Sequence, residues 1–94
     1  EMAPEVAKVL DTYGWILSEQ GDPEEGLSVL REAYARSSTV PEIRYHIGIA
    51  LAKMGKTNDA VAEIEASLVD EEDFPGRDKA RALLDELKIE AAVN

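Results

Sequence analysis

The stretch YGWILSEQGDPEEGLSVL, residues 13–30, places three glycines among residues that favour helix. Gly14 lies inside an apolar run, where a glycine destabilises a helix by about 1 kcal/mol relative to alanine. Gly21 precedes Asp22-Pro23, a sequence that favours the end of one helix and the start of the next. Gly14 therefore needs a reason other than helix propensity, and the spacing of residues elsewhere in the chain supplies one.

An internal repeat explains Gly14. When the sequence is shifted by 34 residues, Gly14 falls on Gly48 and Gly21 falls on Gly55. Further pairs match in residue class at the same offset: Val9 with Ile43, Tyr13 with Ile47, Leu17 with Leu51, Gly26 with Ala60, Leu30 with Ile64 and Ala33 with Ser67. A constant offset over so many positions indicates two copies of one structural unit. We expect Gly14 and Gly48 to lie where the first helix of each copy approaches the second most closely.

Each copy reads as two helices. Apolar residues recur at a helical period before Gly21, a residue suited to the left-handed position after a helix. Asp22 then serves as the N-cap of the second helix, with Glu25 at its third position. The sequence predicts helices over residues 4–20, 23–37, 41–54 and 58–69, with Thr57 as the cap of the fourth.

A fifth helix is predicted over residues 75–90, after the acidic linker DEED at 70–73. A strict offset of 34 would turn Asp78, Arg81 and Asp85 inward, which is wrong for a core. Two inserted residues instead place apolar side chains inward: Ala80, Leu83, Leu84 and Leu87. We expect this helix to act as a solvating cap, because the terminal repeats of an array need one polar face.

A helix–turn–helix unit that repeats every 34 residues resembles the tetratricopeptide repeat. The resemblance rests on Leu10, Tyr13-Gly14, Leu17, Gly26, Leu30 and Ala33 in copy one, and on Ile47-Gly48, Leu51, Ala60, Ile64 and Ser67 in copy two. Two features depart from the family pattern: Arg44 stands at the first bulky position, and Ser38 and Glu72 replace the closing proline.

The resemblance implies an all-α fold, an antiparallel helix-turn-helix array (an α-solenoid) of five helices. We expect one domain over residues 1–94, with repeat one at 7–40, repeat two at 41–74 and the capping helix at 75–90. Several segments, among them LDTYGWIL and FPGRDKARALLDEL, are similar to the closing repeats of long bacterial tetratricopeptide proteins. We therefore expect the chain to be part of a longer protein.

The composition excludes several classes of partner. Twenty acidic residues against 10 basic ones give a net charge of −10, which repels nucleic-acid phosphates and anionic lipid headgroups. The longest apolar run, residues 47–52, is too short to cross a bilayer. The start of the chain does not match a signal peptide. The sequence leaves the compartment open.

The sequence contains no recognisable catalytic motif. His46 is the only histidine, and Glu42, one turn earlier, is its only obvious companion. We expect His46 to be a partly exposed groove residue, since a metal site needs further ligands at defined spacing and the chain has no cysteine. The serines lie in no nucleophile motif, and the carboxylates read as solvated helix faces. We therefore predict no catalytic residue, no cofactor and no metal.

Surface recognition is the remaining function. In the family that this sequence resembles, the first helices of the repeats line a concave groove. Carried over position by position, the groove residues of the binding hypothesis are Asp11, Trp15, Glu19, Glu42, Tyr45, His46, Ile49 and Lys53. The family's clamp for acidic C-terminal tails is absent, because Asp11, Trp15 and His46 replace its lysine and asparagines.

We expect Trp15, Tyr45 and Ile49 to form one apolar patch flanked by acids, with a protein or peptide partner that is basic and carries an apolar anchor. Alternatively, Trp15 packs against Ile49 and the capping helix as an extension of the core. The leading hypothesis is thus a non-catalytic protein–protein interaction module that is a monomer or a weak homodimer.

Two alternatives remain at this point. In the first, the domain is the structural C-terminal cap of a longer superhelix, and Val6 and Leu10 should then be exposed toward an upstream repeat. In the second, the domain is a helper fused to an enzyme.

Overall fold

The computed structural model describes residues 4–69 and 73–93, and these residues form five α-helices and no strand. The helices are α1 (Pro4–Glu19), α2 (Pro23–Arg36), α3 (Pro41–Lys53), α4 (Thr57–Ser67) and α5 (Arg77–Val93). The predicted all-α fold is confirmed. The last helix begins two residues and ends three residues later than predicted. Most of the predicted acidic linker, residues 70–72, lies outside the described residues.

The turns inside the repeats follow from their residues, with one exception. Gly21 and Gly55 adopt positive φ angles of +96° and +78°, as expected for a residue after a helix. The N–H of Glu25 donates to Asp22 Oδ1 at 3.3 Å, which confirms the cap of α2. The predicted Thr57 cap is wrong, because α4 begins at Thr57 itself. The capping position is therefore Lys56, whose side chain has no acceptor to offer.

The helices form two layers. Each helix packs on the next along the chain, and α3 also contacts both α1 and α5. In the part of the chain that the structure describes, α2 and α4 do not contact each other. The layer formed by α1, α3 and α5 is therefore more closely spaced than the layer formed by α2 and α4. Because the array curves toward the more closely spaced layer, the side of α1, α3 and α5 is concave.

The glycines mark the closest approach between paired helices, as the repeat predicts. A Cβ on Gly14 would lie 2.6 Å from Leu30 Cγ and 2.9 Å from the carbonyl oxygen of Gly26. A Cβ on Gly48 would lie 2.5 Å from Ile64 Cδ1. Real side chains do not sit at such distances, so glycine at these positions is a packing requirement.

The fifth helix, α5, buries the face that the sequence assigns to it. Ala80, Leu84 and Leu87 are buried, while Leu83 is half-buried. The three buried residues lie 37 positions after Ile43, Ile47 and Ala50, which are buried on α3. For the face that packs on the preceding helix, the offset is thus 37 residues instead of 34. The insertion before α5 is therefore three residues long rather than the predicted two.

Candidate functional site

A groove of about 430 Å³ lies on the concave side, between α1, α3 and the segment that leads into α5. Five of the eight predicted site residues line it: Asp11, Trp15, Glu42, Tyr45 and His46. The repeat thus brings together side chains that are more than 30 positions apart in sequence. We call this depression the inner groove.

The other three predicted site residues do not line the inner groove. Glu19 and Lys53 are exposed, and their charged groups lie 4.0 Å apart across α1 and α3. Ile49 is half-buried and packs against the hydrophobic core.

A row of rings forms one wall of the inner groove. The His46 ring lies between Trp15 and Tyr45, with centroid distances of 5.6 Å and 5.5 Å. Phe74 continues the row at 6.2 Å from Tyr45. Trp15 is 39% exposed and Tyr45 only 8%, so Trp15 is the one predicted anchor that presents an open ring.

The turn before α5 covers Tyr45. Gly76 has a φ of +92°, and a Cβ on it would lie 2.9 Å from the Tyr45 ring. The chain after Phe74 therefore runs directly over this ring. The two repeats alone do not predict this contact, because the turn at Gly76 lies outside both of them.

His46 has a partner that sequence reasoning did not find. Its Nδ1 lies 2.7 Å from Asp11 Oδ1, and its Nε2 lies 3.9 Å from Glu42 Oε2. Both Asp11 and His46 are buried. The prediction that His46 is partly exposed is therefore wrong. The reason is that α1 and α3 lie side by side and close over the imidazole.

The electrostatics of the inner groove reflect this burial. Burial raises the pKa of Glu42; the neighbouring His46 and Lys8 oppose the shift, and Asp11 adds to it. Burial also raises the pKa of Tyr45, and the negative charges of Glu19 and Glu42 act in the same direction. The groove therefore holds the Glu42 carboxylate in surroundings that solvate charge less well than water does.

Lys79 is a groove residue that sequence reasoning missed. It lines the inner groove together with Lys8, Pro75 and Gly76. Lys79 lies 37 positions after Glu42, which itself lies 34 positions after Lys8. If α5 is treated as the first helix of a third unit, the repeat places these three residues in one row of alternating charge.

The hydroxyl groups of the two buried serines donate hydrogen bonds to backbone carbonyls. Ser18 Oγ donates to the carbonyl of Gly14 at 3.0 Å, and Ser67 Oγ donates to that of Ile64 at 2.6 Å. Both hydroxyls are satisfied by the preceding turn of their own helix. Neither is therefore placed as a nucleophile beside His46.

Comparison with known proteins agrees with this architecture. The family model of the tetratricopeptide repeat matches residues 17–75, more than half of the chain. No curated protein and no solved structure gives a significant match. Tetratricopeptide repeats generally mediate protein–protein interactions and are typically non-catalytic. Among the described residues, no helix combines the length and apolar character needed to cross a membrane. The chain belongs to the tetratricopeptide repeat family.

Proposed function

We propose that this domain is a non-catalytic module that binds a segment of a partner protein in the inner groove. The observation that carries the proposal is the Trp15 ring, which is 39% exposed on the wall of an open depression. Tryptophan is among the residues that contribute most to binding at protein interfaces. An apolar side chain of the partner would bury the open part of this ring.

The support beneath Trp15 favours this role. The ring lies 5.6 Å from the His46 ring, and His46 is itself held by Asp11. An anchor that is already fixed loses little side-chain entropy when a partner binds. Trp15 is therefore better prepared for binding than an exposed ring on a mobile loop would be.

The charges favour a partner segment with basic residues. The net charge of −10 attracts cations at long range, and Glu42 is half-buried at the groove. Asp11 and Glu19 already face His46 and Lys53, so they contribute less to an incoming cation than the sequence suggests. We expect affinity in roughly the micromolar range, because the groove is short and ordering the partner opposes binding.

Trp15→Ala tests the proposal, with Tyr13→Ala as a matched control. Tyr13 is also an exposed ring on α1, but it does not line the inner groove. Amide chemical-shift mapping with peptides that combine lysine or arginine with leucine or phenylalanine should show shifts on α1 and α3. Trp15→Ala should weaken binding by about tenfold or more, the loss expected for a central aromatic anchor. Shifts confined to α2 and α4, or an equal loss in Tyr13→Ala, would contradict the groove.

A second candidate function, a structural unit of a longer superhelix, is favoured by the outer face of α1. Four apolar side chains are exposed on it at helical spacing: Val6, Val9, Tyr13 and Ile16. We call this face the α1 stripe. Of the two residues whose exposure would favour this alternative, Val6 is exposed, whereas Leu10 is half-buried and packs against the core.

A chain extended by a second copy of residues 7–40 ahead of residue 7 tests this candidate. The added copy of α2 should cover the α1 stripe and raise the melting temperature. The same extension with Tyr13→Glu and Ile16→Glu in the original copy should not raise it. An equal gain in both would show that the stripe does not receive the added helix.

A further inference from the structure

Three side chains with metal-ligating atoms meet on the wall of the inner groove. Asp11 comes from α1, while Glu42 and His46 are one turn apart on α3. One ligand atom from each lies within 4.8 Å of the other two. We propose that Glu42 and His46 bind a divalent first-row transition metal ion, of which Zn²⁺ is the representative, and that Asp11 orients the imidazole of His46.

The distances assign a role to each nitrogen of His46. Nδ1 lies 2.7 Å from Asp11 Oδ1, a hydrogen bond in which Nδ1–H donates to the carboxylate. In the neutral imidazole with this tautomer, Nε2 carries the lone pair, and it lies 3.9 Å from Glu42 Oε2. Two ligand atoms that share one zinc ion lie about 3.4 Å apart, given zinc–ligand distances of about 2.1 Å. Closing this half-ångström gap takes a small rotation of the half-buried Glu42 side chain.

Asp11 acts as the residue that orients the imidazole. Histidines that bind metals commonly donate their other ring N–H to a carboxylate, which fixes the tautomer and increases the basicity of the free nitrogen. Asp11 is buried, so its position is set by packing.

The surroundings hold the imidazole in place. Trp15 and Tyr45 flank the His46 ring at 5.6 Å and 5.5 Å. A ligand whose orientation is already fixed binds with less loss of entropy. The inner groove also gives the ion a path from solvent and room for the water molecules that complete its coordination.

The ligand chemistry selects the class of metal. An imidazole nitrogen with carboxylate oxygens suits Zn²⁺ and its first-row neighbours, whereas Mg²⁺ and Ca²⁺ prefer oxygen ligands alone. Two carboxylates balance the charge of one divalent ion. Lys8 and Lys79 also line the groove and oppose a cation, so the affinity should be moderate.

Calorimetric titration of the domain with zinc chloride, without any peptide, tests the proposal independently of the proposed function. We expect one Zn²⁺ ion per chain, bound about tenfold or more tightly than Mg²⁺. His46→Gln and Glu42→Gln should each abolish the binding. Asp11→Asn should weaken it by about 10- to 100-fold, the usual effect of removing a carboxylate that orients a metal-bound histidine.

Glu24→Gln is the matched control. It removes one exposed carboxylate from α2, away from the groove, and should leave the affinity unchanged. If Glu24→Gln loses as much affinity as Glu42→Gln, the acidic surface binds zinc without a site and the proposal is wrong.

Because Asp11 and His46 are buried, their variants are interpreted only if circular dichroism shows the native helix content. Glu42 is half-buried, so Glu42→Gln should remain folded. This variant alone is therefore sufficient to test the proposed zinc site. Zinc binding by Glu42→Gln with the affinity of the parent would overturn the proposal. A zinc-dependent shift of the His46 ring signals in the parent, absent in Glu42→Gln, would support it.

Discussion

Repeat one (α1 and α2) and repeat two (α3 and α4) have matching residue classes, but their first helices lie in different environments. Three equivalent pairs have one exposed and one buried member: Val9 at 65% and Ile43 at 2%, Tyr13 at 52% and Ile47 at 2%, Ile16 at 39% and Ala50 at 0%. The helix α3 packs on α2 as well as α4, whereas α1 has no helix before it in the described residues. The same apolar stripe is therefore core in one repeat and surface in the other.

The two repeats also differ at their closest approach. In repeat one both helices carry glycine, and the backbone of Gly14 meets that of Gly26 directly. In repeat two the corresponding pair is Gly48 and Ala60, and what lies against Gly48 is the Ile64 side chain. The contact between α1 and α2 thus has no room for a Cβ on either helix. The contact between α3 and α4 already accommodates one, the Cβ of Ala60.

The largest expected effect tests the difference in burial. Ile47→Ala should lower the free energy of unfolding by roughly 2–5 kcal/mol, since it removes buried methyl groups and leaves a cavity. Tyr13→Ala at the equivalent position should change it by only about 0.5 kcal/mol or less, as surface substitutions do. Urea unfolding of both variants measures the two effects. Similar losses in both would mean that a second molecule or another segment covers the α1 stripe in solution.

The next effect tests the contact between the paired helices. Gly26→Ala should destabilise the domain by about 1–3 kcal/mol, because the new Cβ would collide with Ser18 Oγ and with the carbonyl oxygen of Gly14. The gain in helix propensity, about 1 kcal/mol, offsets only part of this. Ala60→Gly in repeat two, the reverse exchange, should lose about 1 kcal/mol in helix propensity and about 0.8 kcal/mol for the buried methyl group. If Gly26→Ala were as stable as the parent, the close contact of α1 with α2 would be wrong.

A smaller difference in stability is expected between substitutions at Gly14 and Gly48, which occupy equivalent positions in the two repeats. A Cβ on Gly14 meets backbone at 2.9 Å, which cannot yield without moving a helix. A Cβ on Gly48 meets Cδ1 and Cγ1 of the Ile64 side chain, and the nearest backbone atom of the neighbouring helix is 3.5 Å away. Gly48→Ala should therefore be more stable than Gly14→Ala by on the order of 1 kcal/mol. The reverse order in urea unfolding would place the tighter contact in repeat two.

The repeat period was enough to predict most of the fold. The 34-residue offset places Gly14 and Gly48 at the helix contacts, and apolar periodicity identifies Ala80, Leu84 and Leu87 as the buried face of α5. These features depend on which positions share a helix face, and a repeat reports that directly. The burial of Ile47 but not Tyr13 could not be read from the pattern. It depends on which helix lies in front of the stripe, and both repeats carry the same stripe.

The candidate site was predicted less completely. The repeat assigns Asp11 and His46 to neighbouring groove positions, yet their hydrogen bond depends on the rotamers and spacing of α1 and α3. The cover of Tyr45 depends on the turn at Gly76, which follows an insertion that breaks the period. Sequence periodicity therefore identified the residues on the concave face but not the contacts between them.

The last and smallest effect concerns one repeat position that differs in chemistry, since Asp11 in repeat one corresponds to Tyr45 in repeat two. Burial raises the pKa of Tyr45, and the charges of Glu19 and Glu42 add to the shift. Above about pH 10 the phenol of the unfolded chain loses its proton while the folded chain still holds it. The folded state then binds more protons, so the free energy of unfolding should fall as pH rises through this range.

Tyr45→Phe removes this contribution, so the parent should lose stability between about pH 9 and 11 more steeply than Tyr45→Phe does. Urea unfolding at several alkaline pH values, with Tyr13→Phe as the exposed-ring control, measures the difference between the slopes. Identical slopes in the parent and Tyr45→Phe would mean that the phenol is solvated. The turn at Gly76 would then not cover the ring, and the inner groove would extend further along α3, with Tyr45 as a second open anchor beside Trp15.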